Sequence, residues 1–336
     1  MKRTLRTVNT ELQSFRHAQI GPVSSIEAVS DGAPVTAAEC AFCHAKQITV
    51  DGYCASCGRL APAARDHTEL DLGSLAGVTD KGLRHARNED AMALATAESA
   101  SGPAVVAVVS DGVSSSRRPD EASLAAAQAA LRVLVAGVRA DEDLAETSQA
   151  AVAAAQQALA GLDEPGPGEP PSATFVSAVM TSEMMTLCWL GDSRAYWLGS
   201  GSRSDAKRLT RDDSVAGEMI AAGLVSEAHA MALPGAHVVT GWIGADSPGV
   251  PPHVATFTPP GPGVLLLCSD GLWNYQPEAA GLAGLALPGA LSDPLGTAAA
   301  LVKFALEAGG ADNITVVLAP FPPAAPKSPE NPANEP

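Results

Sequence analysis

The feature that most constrains the fold is an apolar run that ends abruptly at an acid. Residues 103–116 read PAVVAVVSDGVSSS, so a stretch of valine and alanine stops at Ser110, Asp111 and Gly112. Consecutive β-branched and small apolar residues are typical of a buried strand. An acid at the end of such a strand is poorly solvated unless a partner offsets its charge. The glycine after it allows a sharp turn and leaves its carbonyl accessible.

The same pattern recurs elsewhere in the chain. A second apolar run, GVLLLCSDGLWN, reaches Asp270, while Asp312 and the pair Glu89 and Asp90 each precede an apolar run. Asp111 and Asp270 therefore end strands, and the other three acids begin them. In an antiparallel arrangement these ends meet on one edge. The alternative, that each Asp-Gly pair is a simple turn, accounts for one pair but not for the set.

Five carboxylates on one edge repel one another unless cations neutralise them. Ligand sets made only of oxygen atoms suit Mg²⁺ or Mn²⁺. The sequence offers no convincing nucleophilic side chain, because Cys188 and Cys268 both lie in apolar strand segments and are expected to be core residues. The pattern therefore favours chemistry in which metal ions act on water.

Six short motifs follow one another in a recognisable order: TDKG with RNED, VVSDGV, GDSRAY, LTRDDS, CSDGLW and ADNITVV. This series resembles the metal-dependent protein Ser/Thr phosphatases of type 2C and covers about residues 72–320. The resemblance implies an α+β fold, a four-layer α-β-β-α sandwich of two antiparallel sheets flanked by helices. It also implies hydrolysis of phosphoserine and phosphothreonine by a water between two Mn²⁺ or Mg²⁺ ions. The expected partners are phosphorylated proteins, among them a Ser/Thr kinase or its substrates.

The resemblance also implies roles for individual residues. Asp111 is expected to bridge both ions, Asp270 and Asp312 to complete one site, and these three to form the catalytic centre. Glu89 supports the other site and Asp90 binds metal-held water. The expected Mn²⁺ or Mg²⁺ ligands are therefore Glu89, Asp90, Asp111, Gly112, Asp270 and Asp312.

One departure from the family pattern concerns the substrate phosphate. An arginine four residues before the metal-binding glutamate holds the phosphate in the family, and His85 stands at that position here. Arg84 and Arg87 are close enough in sequence to substitute for it. Arg84, His85 and Arg87 are therefore the candidates for binding the substrate phosphate.

A second departure concerns a weaker third metal. The family commonly has an aspartate where Asn274 stands, and that aspartate serves the third metal together with Asp192 of GDSRAY. Asn274 either weakens this third site or forms a hydrogen bond within its own loop, and both readings stay open. Asp213, where the family often has a histidine, is assigned no role.

Four of the six cysteines form two CxxC pairs separated by ten residues: Cys40, Cys43, Cys54 and Cys57. This spacing predicts a zinc ribbon over residues 40–60 that holds one structural Zn²⁺, with free thiols or two redox pairs as the alternatives. So short a module cannot form a core, and the metal must supply its folding energy. Cysteine usage of this kind indicates a reducing compartment, and we expect a cytoplasmic protein.

The rest of the chain divides by composition. Residues 1–39 are predicted to be disordered, residues 61–71 to be a linker, residues 72–320 to form the phosphatase-like domain, and residues 321–336 to be a disordered proline-rich tail. A formal net charge of −16 argues against binding to nucleic acid or to an anionic membrane. No apolar run is expected to be long enough to span a membrane. Because aromatic residues make up only 4% of the chain, alanine, valine and leucine must fill the core.

Two other functions compete with this interpretation. Haloacid-dehalogenase-like phosphohydrolases also place an aspartate after an apolar strand, but they need a second acid two residues later, where Val113 stands. Their parallel sheet also conflicts with Asp312 at the start of a strand. The other alternative is a phosphatase-like regulatory or binding module with little turnover, and the complete carboxylate set argues against it.

Overall fold

The computed structural model describes residues 26–29, 43–47, 49, 53–58, 64–201, 205–230, 233 and 235–323. The strands are β1 (Ile26–Val29), β2 (His67–Asp71), β3 (Ala76–Asp80), β4 (Asp90–Ser99), β5 (Gly102–Asp111), β6 (Ser172–Ala173), β7 (Phe175–Met180), β8 (Met185–Leu190), β9 (Arg194–Gly199), β10 (Lys207–Arg208), β11 (Ile243–Gly244), β12 (His253–Phe257), β13 (Gly263–Cys268) and β14 (Ile314–Phe321). The helices are α1 (Pro119–Ala140), α2 (Leu144–Ala160), α3 (Val215–Ala221), α4 (Glu227–Ala230), α5 (Asp270–Trp273), α6 (Ala279–Ala290) and α7 (Pro294–Ala308), and a short 3-10 helix spans Ala64–Asp66.

Two six-stranded antiparallel sheets form the centre of the molecule. The first has the strand order β1-β4-β5-β7-β8-β12, and the second has the order β10-β9-β13-β14-β3-β2. One buried apolar cluster lies between the sheets, a second joins the first sheet to α1 and α2, and a third joins the second sheet to α6 and α7. This arrangement confirms the predicted four-layer sandwich.

The alternation of side chains along β4 shows how the layers form. Ala91, Ala93 and Ala95 belong to the cluster under the helices, while Met92 and Leu94 belong to the cluster between the sheets. Successive side chains of a strand point to opposite faces, so the small residues face α1 and the large ones face the other sheet. The core is built from alanine, valine and leucine, as the low aromatic content predicts.

Two strands lie where the sequence predicts none. β1 falls within residues 1–39 and pairs with β4, with Ile26 opposite Thr96. β2 falls within the predicted linker and pairs with β3, with His67 opposite Asp80. Both are edge strands; in β2 the residues alternate between exposed and half-buried, so no apolar run marks it. Backbone pairing rather than apolar burial places β2 in its sheet.

Helix α1 corrects the expectation about membrane spans. It begins at Pro119, a residue that suits the first helical position, and its capping residue is Arg118, at φ 53 with no side-chain cap. By length and composition alone α1 could cross a membrane, although 61% of its most apolar window is buried inside the protein. This apolar surface packs against β4, β5 and α2.

Candidate metal centre

Strand register brings the predicted acids to one edge of the sandwich. Asp90 opens β4 directly opposite Asp111, which closes β5. β13 and β14 pair antiparallel with Cys268 opposite Val316, so Asp270 after β13 and Asp312 before β14 lie on the same side. The charges of Asp90, Asp270 and Asp312 all act on Asp111. We call Glu89, Asp90, Asp111, Asp270 and Asp312 the carboxylate edge.

Burial makes this edge electrostatically unfavourable without cations. Burial raises the pKa of Asp111 well above its ordinary range, and the charges of Asp90, Asp270 and Asp312 raise it further. The pKa of Asp270 is raised well above its ordinary range for the same reasons. Burial also raises the pKa of Asp90 to about 6, although hydrogen bonds from Ser269 and Thr315 oppose the shift. Positive charge at this edge would reverse these shifts.

The donor set fits a hard divalent ion. The Oδ1 atoms of Asp90 and Asp270 are buried and have no hydrogen-bond partner among the residues that the structure describes. Buried carboxylate oxygens without partners are unfavourable, and oxygen-only ligand sets are what Mg²⁺ and Mn²⁺ prefer. At Gly112 a side chain would collide with the Pro119 carbonyl and lie 2.8 Å from the Glu89 carbonyl, so only glycine fits there.

Hydrogen bonds fix the orientation of two of these acids. Asp90 Oδ2 accepts bonds of 2.7 Å from both Ser269 Oγ and Thr315 Oγ1, which leaves Oδ1 available. Ser114, in the loop after Gly112, donates to Glu89 Oε2. Both carboxylates are thereby held before any ligand arrives, a form of preorganisation.

Asn313 connects the two halves of the edge, and its contacts were not predicted. Its Nδ2 donates to the backbone carbonyls of Lys81 at 2.8 Å and Arg87 at 3.0 Å, and its Oδ1 accepts from the backbone N–H of Glu89 at 2.8 Å. One side chain beside Asp312 therefore fixes the loop that carries Glu89. Its place in the motif ADNITVV was the available signal.

Arg65 was not predicted either, and unlike Asn313 it stands in none of the six motifs. Its Nη2 donates to the carbonyl of Asp90 at 3.2 Å, and its Nη1 donates to the carbonyl of Asp120 at 2.9 Å. The Asn88 side chain donates to the carbonyl of Arg65 at 3.0 Å. Arg65 thus joins the start of β4 to the start of α1, from within the predicted linker.

The three candidates for phosphate binding occupy different places. His85 lies inside the site, with Nε2 3.1 Å from Asp312 Oδ1 and Nδ1 3.8 Å from Glu89 Oε2. Arg87 is directed elsewhere and pairs with Asp66 at 3.7 Å. Arg84 is exposed and forms no hydrogen bond or ion pair with the described part of the chain. The structure brings His85, and not Arg87, to the carboxylate edge.

The region of the expected third metal is also ordered by hydrogen bonds. Burial raises the pKa of Asp192 to about 7, and the charge of Asp212 raises it while that of Arg194 lowers it. Asn274 Nδ2 donates to Asp270 Oδ2 at 3.1 Å, so a hydrogen bond within its own loop is what the structure contains. Asp213 is not without a role, because its Oδ1 lies 2.7 Å from His253 Nε2 and its Oδ2 accepts from the Gly191 N–H.

Comparison with known proteins identifies the family. Residues 83–282, more than half of the chain, match the family model described as protein phosphatase 2C. The chain belongs to this family. The serine/threonine phosphatase stp of Listeria innocua is 35% identical over 148 residues, which are 43% of this chain and 55% of that protein. The chain therefore spans about half the length of the curated relatives it matches.

Solved phosphatase structures share the fold. The serine/threonine phosphatase of S. agalactiae superposes with a TM-score of 0.60 at 22% identity, over 74% of this chain and 98% of that chain. The catalytic domain of the phosphatase PstP, solved in complex with two manganese ions, gives a TM-score of 0.56 at 25% identity over 74% of this chain and 97% of its own. The sandwich described above is thus that of the phosphatase 2C family.

Before the phosphatase 2C region, three of the four predicted zinc ligands converge. The Sγ atoms of Cys43, Cys54 and Cys57 all lie within 4.8 Å of one another. Cys40 lies outside the described residues. A backbone hydrogen bond from Cys57, opposed by burial, lowers the pKa of Cys54 to about 6, which favours the thiolate that metals bind.

Proposed function

We propose that this protein is a metal-dependent phosphatase that hydrolyses phosphoserine and phosphothreonine in proteins. The observation that carries the proposal is the carboxylate edge, where five acids converge and two buried oxygens have no hydrogen-bond partner among the described residues. Two findings support it: related proteins are named Ser/Thr phosphatases, and one of similar fold was solved with two manganese ions.

In this proposal Asp111, Glu89, the Gly112 carbonyl, Asp270 and Asp312 would hold two Mn²⁺ or Mg²⁺ ions. When bound, the ions supply a water of lowered pKa and positive charge for the phosphoryl oxygens. Asp90 contributes through Oδ1, which faces no protein donor in the described structure. Asp192 has one carboxylate fewer nearby than the family pattern provides, so a third ion would bind there only weakly.

The substrate phosphate requires a protein contact as well, and we assign it to His85. His85 lies between Glu89 and Asp312, where an imidazole N–H can donate to a phosphoryl oxygen. Arg84, exposed beside it, supports the phosphopeptide from the surface, while Arg87 remains paired with Asp66. Ser269, Thr315 and Asn313 keep the carboxylates oriented during turnover.

The test is hydrolysis of a phosphothreonine peptide by the full chain with Mn²⁺, with a chelator, and after Asp270→Asn. Activity that needs Mn²⁺, is lost on chelation and falls by about 100-fold or more in the variant supports the proposal. Turnover that survives chelation contradicts it. Phosphopeptide binding with no turnover would instead favour the regulatory or binding module.

We propose further that Cys40, Cys43, Cys54 and Cys57 hold one structural Zn²⁺. The converging sulfur atoms and the CxxC spacing support this assignment, because four cysteines complete a tetrahedral shell and exclude water. Purified wild-type protein should contain one zinc per chain, and Cys54→Ser should contain none, while Cys188→Ala, in the core, keeps it. Equal zinc in the Cys54→Ser protein would refute the assignment.

We also propose a cytoplasmic location and the substrates of a Ser/Thr kinase as partners. The paired cysteines support a reducing compartment, and the names of the relatives support phosphoproteins as substrates. Phosphopeptide profiling of cells with and without the protein tests the second point. Unchanged phosphoserine and phosphothreonine levels would count against it.

A further inference from the structure

Trp242 is a tryptophan that strand pairing places beside the proposed metal centre. Three backbone segments lie side by side there, because Ala173 pairs with Gly112 on one side and with Ile243 on the other. Adjacent strands are about 4.8 Å apart, so Ile243 lies about 10 Å from Gly112. Trp242 directly precedes Ile243, and Gly112 directly follows Asp111. The indole is therefore close to the carboxylate edge, although the two are far apart in sequence.

Trp242 and Asp111 lie on the same face of this sheet. Ile243 and Ala173 belong to the buried cluster under α1 and α2, and successive side chains of a strand point to opposite faces. Trp242 therefore points away from these helices. Asp111 does so as well, because Val109, two residues earlier in β5, belongs to the cluster between the sheets. The indole thus faces the same side as the acids of the carboxylate edge.

Hydrogen bonds fix the indole in this place. Trp242 Nε1 donates to Asp246 Oδ1 at 2.9 Å, and Ser172 Oγ donates to the same oxygen at 2.8 Å. Ser172 is in turn tied to the loop after Gly112, because its carbonyl accepts from the N–H of Val113 at 2.9 Å. The N–H of the indole is therefore occupied, while the half-buried ring keeps part of its surface exposed. A large aromatic surface held in one orientation is suited to contacting a ligand.

The charge beside the ring favours a positively charged ligand. Asp246 is exposed and forms no ion pair with a lysine or arginine of the described residues. Arg117 and Arg118, in the loop after Gly112, already pair with acids of their own. An arginine guanidinium both stacks on the face of an aromatic ring and pairs with a carboxylate. The combination of Trp242 and Asp246 therefore suits an arginine side chain.

From these observations we infer that Trp242 and Asp246 bind an arginine side chain of the phosphopeptide substrate. The inference rests on the proposed function, because it assigns a sequence preference to the same site. The distance of about 10 Å across the three segments corresponds to about two or three residues of extended peptide, which sets the separation between the arginine and the phosphorylated residue. The guanidinium stacks on the exposed part of the Trp242 ring and pairs with Oδ2 of Asp246, since Oδ1 already accepts two hydrogen bonds.

The first arm of the test measures binding, which does not require turnover. Alanine-rich peptides carry a non-hydrolysable phosphonate analogue of phosphoserine and one arginine, placed in turn at each of the three positions on either side. In matched peptides citrulline, which has nearly the same shape but no charge, replaces the arginine. At one position two or three residues from the phosphonate, the full chain with Mn²⁺ should bind the arginine peptide about fivefold more tightly than the citrulline peptide.

Variants of the chain should change this ratio of affinities in a defined way. Trp242→Leu should reduce it to below about twofold, while Trp242→Phe, which keeps an aromatic ring, should retain most of it. Asp246→Asn keeps an oxygen that accepts the indole N–H but removes the charge, so it should lower the ratio as well. Glu183→Gln removes an exposed acid in the turn between β7 and β8 and should leave the ratio at its wild-type value. Because each ratio compares two peptides on one protein, a general loss of affinity does not alter it.

Equal binding of the arginine and citrulline peptides by the wild type at every position overturns the inference, as does an unchanged ratio in Trp242→Leu. Absence of binding by any peptide overturns it too. A second arm measures hydrolysis of the corresponding phosphoserine peptides and separates the inference from the proposed function. Hydrolysis without a preference for arginine rejects the inference and retains the function. A preference for arginine in binding, without hydrolysis, retains the arginine site and rejects the function.

Discussion

The two ends of β13 have opposite chemistry although they share one strand and its neighbours β9 and β14. At one end Asp270 and Asp312 join the carboxylate edge, and at the other Trp197 contacts Phe257 and Phe321 edge to face. The strand centres between them are uniformly apolar, with Leu265 facing the other sheet and Leu266 facing α6 and α7. The comparison teaches that the core fixes the strands, while their ends differ in chemistry.

Each end also contains a group that its surroundings leave unsatisfied. The carboxylate edge concentrates negative charge, which raises the pKa values of Asp111 and Asp270. At the other end the indole N–H of Trp197 is buried without an acceptor among the described residues. A cation would satisfy the first end. The predictions below test whether the two ends differ in this way.

The largest expected effect is the loss of activity on removing one acid from the carboxylate edge. Asp111→Asn should lower turnover of a phosphothreonine peptide by about 100- to 1,000-fold, because the carboxylate on which the charges of Asp90, Asp270 and Asp312 converge loses its own charge. Glu183→Gln removes an exposed acid in the turn between β7 and β8, near the other end of the sheet. It should change turnover by less than about twofold, as is usual for surface substitutions. Equal losses in both variants would abolish the distinction between the ends.

The next effect concerns the stability of the metal-free protein. The pKa of Asp90 rises from 3.8 to about 6 on folding, so the folded state binds more protons than the unfolded chain between these values. This contribution to stability is complete below about pH 4 and is lost as the pH rises through about 6, and it amounts to roughly 1–3 kcal/mol. In the presence of a chelator, the melting temperature should fall as the pH rises through about 6, and this fall should be smaller in Asp90→Asn.

Manganese should reverse that loss. A ligand at 100 times its dissociation constant stabilises the folded state by about 2.7 kcal/mol, and here the ions displace protons, so the gain in melting temperature should be larger at pH 7.5 than at pH 5. An equal gain at both pH values would show that the ions bind away from the buried acids.

A smaller effect, on Mn²⁺ affinity, is expected from Arg65, which is not an acid of the carboxylate edge but holds the backbone beside it. Arg65→Lys replaces a guanidinium that reaches two carbonyls, on Asp90 and Asp120, with a single ammonium. Mn²⁺ affinity should fall about fivefold, the equivalent of one hydrogen bond. Arg132→Lys, on the exposed side of α1, is the matched control. Unchanged Mn²⁺ affinity in Arg65→Lys would mean that the two hydrogen bonds of Arg65 serve the fold only.

The smallest effect is expected at Asn274. Asn274→Asp replaces the 3.1 Å hydrogen bond to Asp270 with a second carboxylate. The metal-free protein should melt lower, and activity at millimolar Mn²⁺ should rise about two- to threefold because a weak site gains a charged ligand. Asn274→Ala, which removes the hydrogen bond without adding charge, should show only the first change. Matching activation curves for the two variants would exclude Asn274 from the metal chemistry.

The sequence predicts the carboxylate edge because each of its acids stands at the end of an apolar run, and the end of a strand has a known place in an antiparallel sheet. Asp111 and Asp270 follow apolar runs and Asp312 precedes one, so antiparallel pairing alone brings them together. Arg65 could not be found this way, because it contacts the backbone carbonyl of Asp90 on a different element. No pattern of apolar residues in the sequence indicates such a contact. Edge strand β2 was missed because its residues alternate between exposed and half-buried and leave no apolar pattern.

The contacts between the rings of Trp197, Phe257 and Phe321 escape sequence analysis for a different reason. Trp197, Phe257 and Phe321 each stand in an apolar strand, and each alone indicates an ordinary core residue. Only the strand order β9-β13-β14 and the facing β12 bring their rings together at one end. An unsatisfied donor such as Trp197 Nε1 is visible only once its neighbours are placed.

The most direct test of the central claim, that the carboxylate edge is a two-metal site, is an equilibrium Mn²⁺ titration of the full chain. Thiolate ligands are soft and do not favour Mn²⁺, so the cysteine cluster should not contribute. We expect two tightly bound Mn²⁺ ions per chain in the wild type and in Glu183→Gln, with proton release on binding, and loss of both tight sites in Asp111→Asn. Fewer than two tight sites in the wild type, or two tight sites retained in Asp111→Asn, would contradict it.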